Sequence, residues 1–298
     1  MILRVLFVVL VLLSSEAVAA AALNLVATSA SMGALAREIG GDDVRVTVLA
    51  PPDRDIHQLQ AKPSMIRALR SADLVVAVGA ELEAGWLPVA IPSAANPDIL
   101  PGRDGYFEAA AQLDDLLDTD TAADRALGDV HPLGNPHVNL DPVRMARVGE
   151  ALAHRLGALD QANAERYQAR AATFGTLVAQ RVAEWQRETA NAPGVLLFHR
   201  DAVYLLDRLG VPLLGEIEPI PGVPATATHL KRLTDDLAGR RGIVIYPVFQ
   251  ASRAPEKLAG DLGWPVVKLP LDPPLDASGA AYLALIEAWV DAIASVPE

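Results

Sequence analysis

The order strand, helix, strand, repeated on both sides of a long helical stretch, narrows the folds open to this chain more than any other feature. Residues 23–28 form a short apolar run of the kind that makes a buried strand. Residues 29–40 read as a helix, with Met32, Leu35, Ala36 and Ile39 on one face and Gly40-Gly41 to end it. Residues 44–49 alternate apolar and polar and stop at Pro51-Pro52. Pro63-Ser64 opens a second helix through Ile66 and Leu69, and 73–79 is a buried strand ending in glycine. A short helix is predicted over 82–89 around Trp86 and another near 109–117, followed by an acidic, loop-like stretch over 114–134.

The pattern then changes scale. Asp141-Pro142 caps a helix to about 157, and Asp160 caps a second over 161–188, with Tyr167, Phe174, Val178, Val182 and Trp185 near helical spacing. At 1.5 Å per residue that second helix is about 42 Å long, enough to serve as a stiff connector that limits hinge opening. The β-α-β order restarts with strands at 195–198, 213–217, 242–246 and 266–269. Helices lie at 202–209, 228–237 (capped by Thr228), 255–262 and 280–294. The expected fold is α/β: two lobes, each with a mainly parallel sheet and flanking helices, joined by one long connecting helix. The expected division is an export signal over 1–22, an N-terminal metal-binding lobe over 23–141, connecting helices over 142–190 and a C-terminal metal-binding lobe over 191–298.

The start of the chain has the order of a cleaved secretory signal. Arg4 is followed by an apolar run over 5–13 and by the small-residue pattern Ala17-Val18-Ala19. The run is too short to cross a bilayer, and no later segment is long and apolar enough to do so. The chain has no cysteine, which excludes disulfides and thiolate metal sites and argues against a lipid anchor at the cleavage point. A soluble periplasmic protein is therefore expected. A formal charge of −12 argues against nucleic acid as a partner, since phosphates want a basic stripe.

There are six histidines, and their placement separates them. In open α/β sheets ligands sit beyond the carboxyl ends of strands. His57 lies past the Pro-Pro turn that ends a strand, and His199 directly follows one. His137 stands just before a helix, and Asp272 just past the last strand. Three neutral imidazoles and one carboxylate would suit a tetrahedral Zn²⁺. The spacing contains no local metal motif, and a single histidine is more often structural or surface-exposed, so the residues alone leave both readings open. His154 reads as structural within its helix and His229 as exposed. Trp86 and Trp185 read as core, while Glu216 and Glu218 either line the cleft and orient a histidine or pack the proline-rich loop over 218–224.

Four segments carry a resemblance to the receptor family of bacterial zinc and manganese ABC importers, the solute-binding proteins called cluster A-I or cluster 9. The first runs from the strand at 23–28 through Asp55-Ile56-His57, Lys62-Pro63-Ser64 and Ala72-Asp73-Leu74-Val75 to Leu82-Glu83 and Trp86-Leu87. The second is Asn135-Pro136-His137-Val138-Asn139-Leu140-Asp141-Pro142, with Asn139 where the family usually has an aromatic. The third is Phe198-His199 followed by Tyr204, and the fourth Leu271-Asp272-Pro273 followed by Tyr282. The resemblance spans nearly the whole mature chain. It implies a monomeric receptor, not an enzyme, that binds one Zn²⁺ per chain through His57, His137, His199 and Asp272. Its implied partners are an ABC permease and a periplasmic zinc metallochaperone. Asp276 or a water could take the place of Asp272. A histidine at position 199 favours zinc over manganese, which remains the alternative metal. The long histidine-rich loop of many zinc members is absent; the region offers only His131, a candidate for transient metal contact, and the acids Asp114, Asp115, Asp118, Asp120, Asp124 and Asp129. A zinc hydrolase would need an open water position and a general base. No G-x-S-x-G, P-loop or H-E-x-x-H pattern supports an enzyme, and nothing supplies the anchoring that an adhesion module would need.

Overall fold

The computed structural model describes residues 22–117, 131–220 and 222–296. Residues 1–21 of the export segment and the acids at 118, 120, 124 and 129 lie outside the described residues. The first half contains β1 (Leu23–Ala27), α1 (Ala30–Gly40), β2 (Val44–Val48), α2 (Pro63–Arg70), β3 (Leu74–Ala77), α3 (Leu87–Ser93) and β4 (Tyr106–Glu108). Two helices follow, α4 (Pro142–Leu159) and α5 (Ala164–Glu188). The second half contains β5 (Val195–Leu197), α6 (Val203–Leu209), β6 (Leu213–Glu216), α7 (Ala227–Leu237), β7 (Ile243–Pro247), α8 (Arg253–Leu262), β8 (Val266–Leu269) and α9 (Gly279–Ala294).

Each half builds one four-stranded parallel sheet, in the orders β2-β1-β3-β4 and β6-β5-β7-β8. This is the two-lobed α/β architecture read from the sequence. The central strands are apolar on both faces, as parallel strands covered by helices must be. Successive side chains alternate between cores. Leu25, Ala27, Leu74 and Val76 face one core, whereas Val26, Val75 and Ala77 face another against α2 and α3. In the second sheet Val195, Leu197, Ile243 and Ile245 join the first of these cores, while Leu196, Val244 and Tyr246 pack under α7 and α8.

The first core is therefore shared. It runs from the inner face of one sheet through α1, α4, α5, α6 and α9 to the inner face of the other. Phe174 and Trp185 of α5 and Trp289 of α9 are almost wholly buried in it. A continuous apolar seam of this kind resists relative motion of lobes, unlike a flexible polar linker. The connector spans the expected residues: a 3-10 turn at Gln161–Asn163 leads directly into α5, itself 25 residues long.

Several local expectations are corrected. Residues 82–86 form turns rather than helix, and α3 begins only at Leu87, with Pro88 in its first turn. The cause is a left-handed run just before: Gly79, Ala80 and Glu81 have φ of 84°, 45° and 69°. The buried Glu83 carboxylate holds this bend, accepting from Val78 N at 2.8 Å, Gly79 N at 3.1 Å and Thr28 Oγ1 at 2.6 Å. Near 109–117 only one 3-10 turn forms, at Ala110–Gln112. The cap of α7 is Thr226, two residues earlier than Thr228, its side chain accepting from His229 N. His154 is exposed, on the face of α4 opposite buried Leu152 and Leu156. His229 is half-buried and hydrogen-bonded to Glu216 O at 2.9 Å.

Candidate metal centre

The carboxyl ends of both sheets point at one small cavity between them. His57, His137, His199, Asp201, Glu218 and Asp272 are among the residues that line it. Each histidine arrives on a short, rigid piece of backbone. His57 sits in a 3-10 turn, Ile56–Gln58, capped by Asp55. The Asp55 carboxylate accepts from the His57 backbone N at 3.0 Å and pairs with its ring Nδ1 at 2.8 Å. Trp86 Nε1 fixes the same turn by donating to Ile56 O at 3.0 Å. A carboxylate on Nδ1 leaves Nε2 as the nitrogen that faces a metal.

His137 is oriented by a different group with the same effect. Asn135 Oδ1 accepts from the His137 backbone N at 3.0 Å and lies 2.6 Å from ring Nδ1. His199 follows β5 in extended backbone, and Asp201 lies two residues on in the 3-10 turn Arg200–Ala202. The ring centroids of His57 and His137 are 5.3 Å apart, and those of His137 and His199 are 5.0 Å apart. Three histidines distant along the chain thus meet at one place.

Two further donors join them. His57 Nε2 and His131 Nε2 are 3.1 Å apart, close to the roughly 3.3 Å between two nitrogens on one tetrahedral zinc. The Asp201 carboxylate lies 3.5 Å from His137 Nε2. Two three-donor groups result, His57 with His131 and His137, and His137 with His199 and Asp201; within each group the ligand atoms lie within 4.8 Å of one another. Asp272 lines the cavity but belongs to neither group. Its Oδ1 accepts from Ser31 N at 2.7 Å, in the first turn of α1. Asn139 holds that loop in place by donating to Leu271 O at 2.7 Å. Asp276 also lies outside both groups.

The electrostatics suit a cation. His131, His137, His199 and Asp201 are all buried. Burial, together with the neighbouring imidazoles, drives the His199 pKa down to about 3 and that of His137 well below its usual value. Burial pushes the Asp201 carboxyl up to about 7. Neutral imidazoles are the form that binds metal. Among the described residues, His137 Nε2 and both ring nitrogens of His199 are buried with no hydrogen-bond partner. Buried polar nitrogens are rarely left so, and a bound ion is the chemistry that satisfies them.

Asp201 was missed by sequence reasoning. The available signal was a second metal-competent side chain in the same post-strand turn as His199, at His199-Arg200-Asp201. Glu216 pairs with Arg200 at 3.0 Å, so of the two flagged glutamates only Glu218 lines the cavity.

The family model described as zinc-uptake complex component A, periplasmic, matches residues 25–296. A high-affinity zinc uptake system protein ZnuA of Yersinia pestis is 24% identical over 228 residues, 72% of each chain. Among solved structures, a ZnuA superposes with a TM-score of 0.76 at 23% identity, over 91% of this chain and 99% of that one. The solute-binding protein FpvC of Pseudomonas aeruginosa, solved with Mn²⁺, gives 0.78 at 23% identity over 91% and 97%. The chain belongs to the periplasmic zinc-uptake component A family, the metal-binding receptors of ABC importers, which has zinc and manganese members.

Proposed function

We propose that this protein captures one Zn²⁺ in the periplasm, as a monomer, and delivers it to an ABC permease. His57, His137, His199 and Asp272 serve as its ligands. Three imidazoles converge on one cavity between the sheets, and among the described residues buried His137 Nε2 and both His199 ring nitrogens have no hydrogen-bond partner; this observation carries the reading. An imidazole-rich donor set suits Zn²⁺ better than Mn²⁺, which prefers more oxygen. Asp272 adds the carboxylate from the loop just past the last strand of the second lobe. Its Oδ1 already accepts from Ser31 N in the first turn of α1, which leaves Oδ2 as the oxygen for the metal. A receptor that must release its cargo uses such a site for binding, not for activating water, and a periplasmic metallochaperone is a compatible source of the ion.

Manganese is the second reading, favoured by the presence of two carboxylates, Asp201 and Asp272, in the same cavity. Competition between Zn²⁺ and Mn²⁺ for the purified mature protein separates them. Zinc bound far more tightly, at one ion per chain, is the expected result. Preferential retention of manganese, or no tight binding of either metal, overturns the proposal.

A further inference from the structure

His131 and Asp201 stand outside the ligand set just proposed, yet each completes a three-donor group with His137 in common. We propose that both are metal ligands, and that the ion, on its way into or out of the four-ligand set above, exchanges between two overlapping positions that pivot on His137. This inference rests on the reading of the protein as a metal receptor. The first position is formed by His57, His131 and His137, all from residues that precede α4. The second is formed by His137, His199 and Asp201, two of whose three donors come from the second lobe.

The geometry fixes why the two positions are alternatives. Asn135 holds His137 Nδ1 at 2.6 Å, so His137 offers a single nitrogen, Nε2, to a metal. One lone pair serves one ion, and two dications cannot share it. The first position needs nothing from the second lobe, so the first lobe alone can take up an ion. The His57 and His131 nitrogens already stand 3.1 Å apart, and His57 is braced by Asp55. The second position then adds a carboxylate and an imidazole from the turn after β5. Both sets have three protein donors and so leave coordination room for an incoming group. An ion held by His137 throughout can exchange its other ligands one at a time. No step requires it to be free in solution.

The test uses the mature full-length protein with His131→Ala and Asp201→Ala. Asp201→Asn, which keeps the side-chain shape but offers a poorer, neutral donor, replaces Asp201→Ala if that variant fails to fold. Zinc stoichiometry, the visible spectrum of the Co²⁺ form and the rate of zinc transfer to excess chelator are measured for each. The parent should bind one ion. Each variant should change the Co²⁺ spectrum, which responds to ligand identity and not to distant packing. Each should also alter the transfer rate by about tenfold or more, at least the effect of losing a supporting residue. Two zinc ions bound together overturn the shared pivot. Spectrum and rate unchanged in either variant overturn its assignment as a ligand, and with it the two positions. A parent that binds no zinc at all fails the receptor reading itself, whereas a tight-binding parent with unaffected variants fails this inference alone.

Discussion

Asn135 ties the two ligand-bearing loops together: its Oδ1 takes the Nδ1 hydrogen of His137 at 2.6 Å, while its Nδ2 donates to the carbonyl of Arg200, the residue after His199, at 3.1 Å. The bond to Nδ1 sets the tautomer of His137 and aims Nε2 into the cavity. The bond to Arg200 spans the two lobes. Tyr204 adds a further tie by donating to Asn135 O at 2.7 Å and accepting from Leu117 N at 2.9 Å. Replacing Asn135 with Leu removes the side-chain bonds at once. Zinc affinity should fall by about 10- to 100-fold, the usual effect of losing a group that orients a metal-bound histidine. A competition titration reads this, and unchanged affinity would show that His137 needs no such support.

Saturating zinc should stabilise the protein against heat, because an ion bound only by the folded state shifts unfolding by mass action. At 100 times Kd the gain is about 2.7 kcal/mol. His137→Ala should abolish most of that shift and weaken zinc binding by more than about 100-fold, beyond the effect of losing a merely supporting residue. Calorimetric scans with and without zinc, on parent and variant, make the comparison. An equal shift in both proteins would remove His137 from the site.

The strands were legible because a parallel strand covered on both faces is an apolar run, and 23–28, 73–79 and 195–198 are such runs. The loop positions of His57, His137 and His199 followed from where those strands end. Residues 82–86 were misread because their composition suits a helix, while the left-handed conformations of Ala80 and Glu81 depend on a distant partner, Thr28, bonded to Glu83. His154 could have been placed correctly, since it falls on the polar side of its helix's own periodicity. Asp201 could have been flagged from its place in the same post-strand turn as His199, whereas the approach of His131 to His57 and His137 has no local signature, because residues 57 and 131 meet only once the chain has folded.

The stability of the metal-free protein should depend on pH through the buried donors, with a sign that can be worked out. The His199 pKa falls from 6.5 to about 3 on folding, because burial and the nearby imidazoles disfavour its charge. Between those values the unfolded chain binds a proton that the folded chain does not, so stability drops as pH falls through 6.5. His137 shifts in the same direction. Asp201 acts oppositely: pushed up to about 7 by burial, it holds its proton in the folded state and gains stability as pH falls below that value. In the range between pH 6 and 4, His199→Gln should flatten the decline by about 1.4 kcal/mol per pH unit, the value for one proton. Asp201→Asn should steepen it. Urea unfolding at several pH values after chelation measures both slopes. A His199→Gln slope identical to the parent's would mean that His199 is not held neutral.

Asp141 joins the two lobes by charge where Asn135 joins them by hydrogen bonds. Its carboxylate is fully buried, caps α4 through Val143 N at 2.9 Å, and pairs with Arg144 of the same helix. Arg208, at the end of α6 in the second lobe, reaches it from the other side at 3.0 Å. Removing Asp141 takes the carboxylate away from Arg208 and leaves buried Arg144 with Asp115 alone, at 3.0 Å. Asp141→Ala should therefore cost about 3 to 5 kcal/mol. The exposed pair between Arg147 and Asp115 is the control, because Arg147→Ala should cost less than about 1 kcal/mol. Chemical denaturation of both variants tests the contrast. Zinc stoichiometry should stay at one ion per chain in folded Asp141→Ala, since the carboxylate touches none of the proposed ligands directly. Similar losses in the two variants would show that the Asp141 network is no stronger than a surface pair.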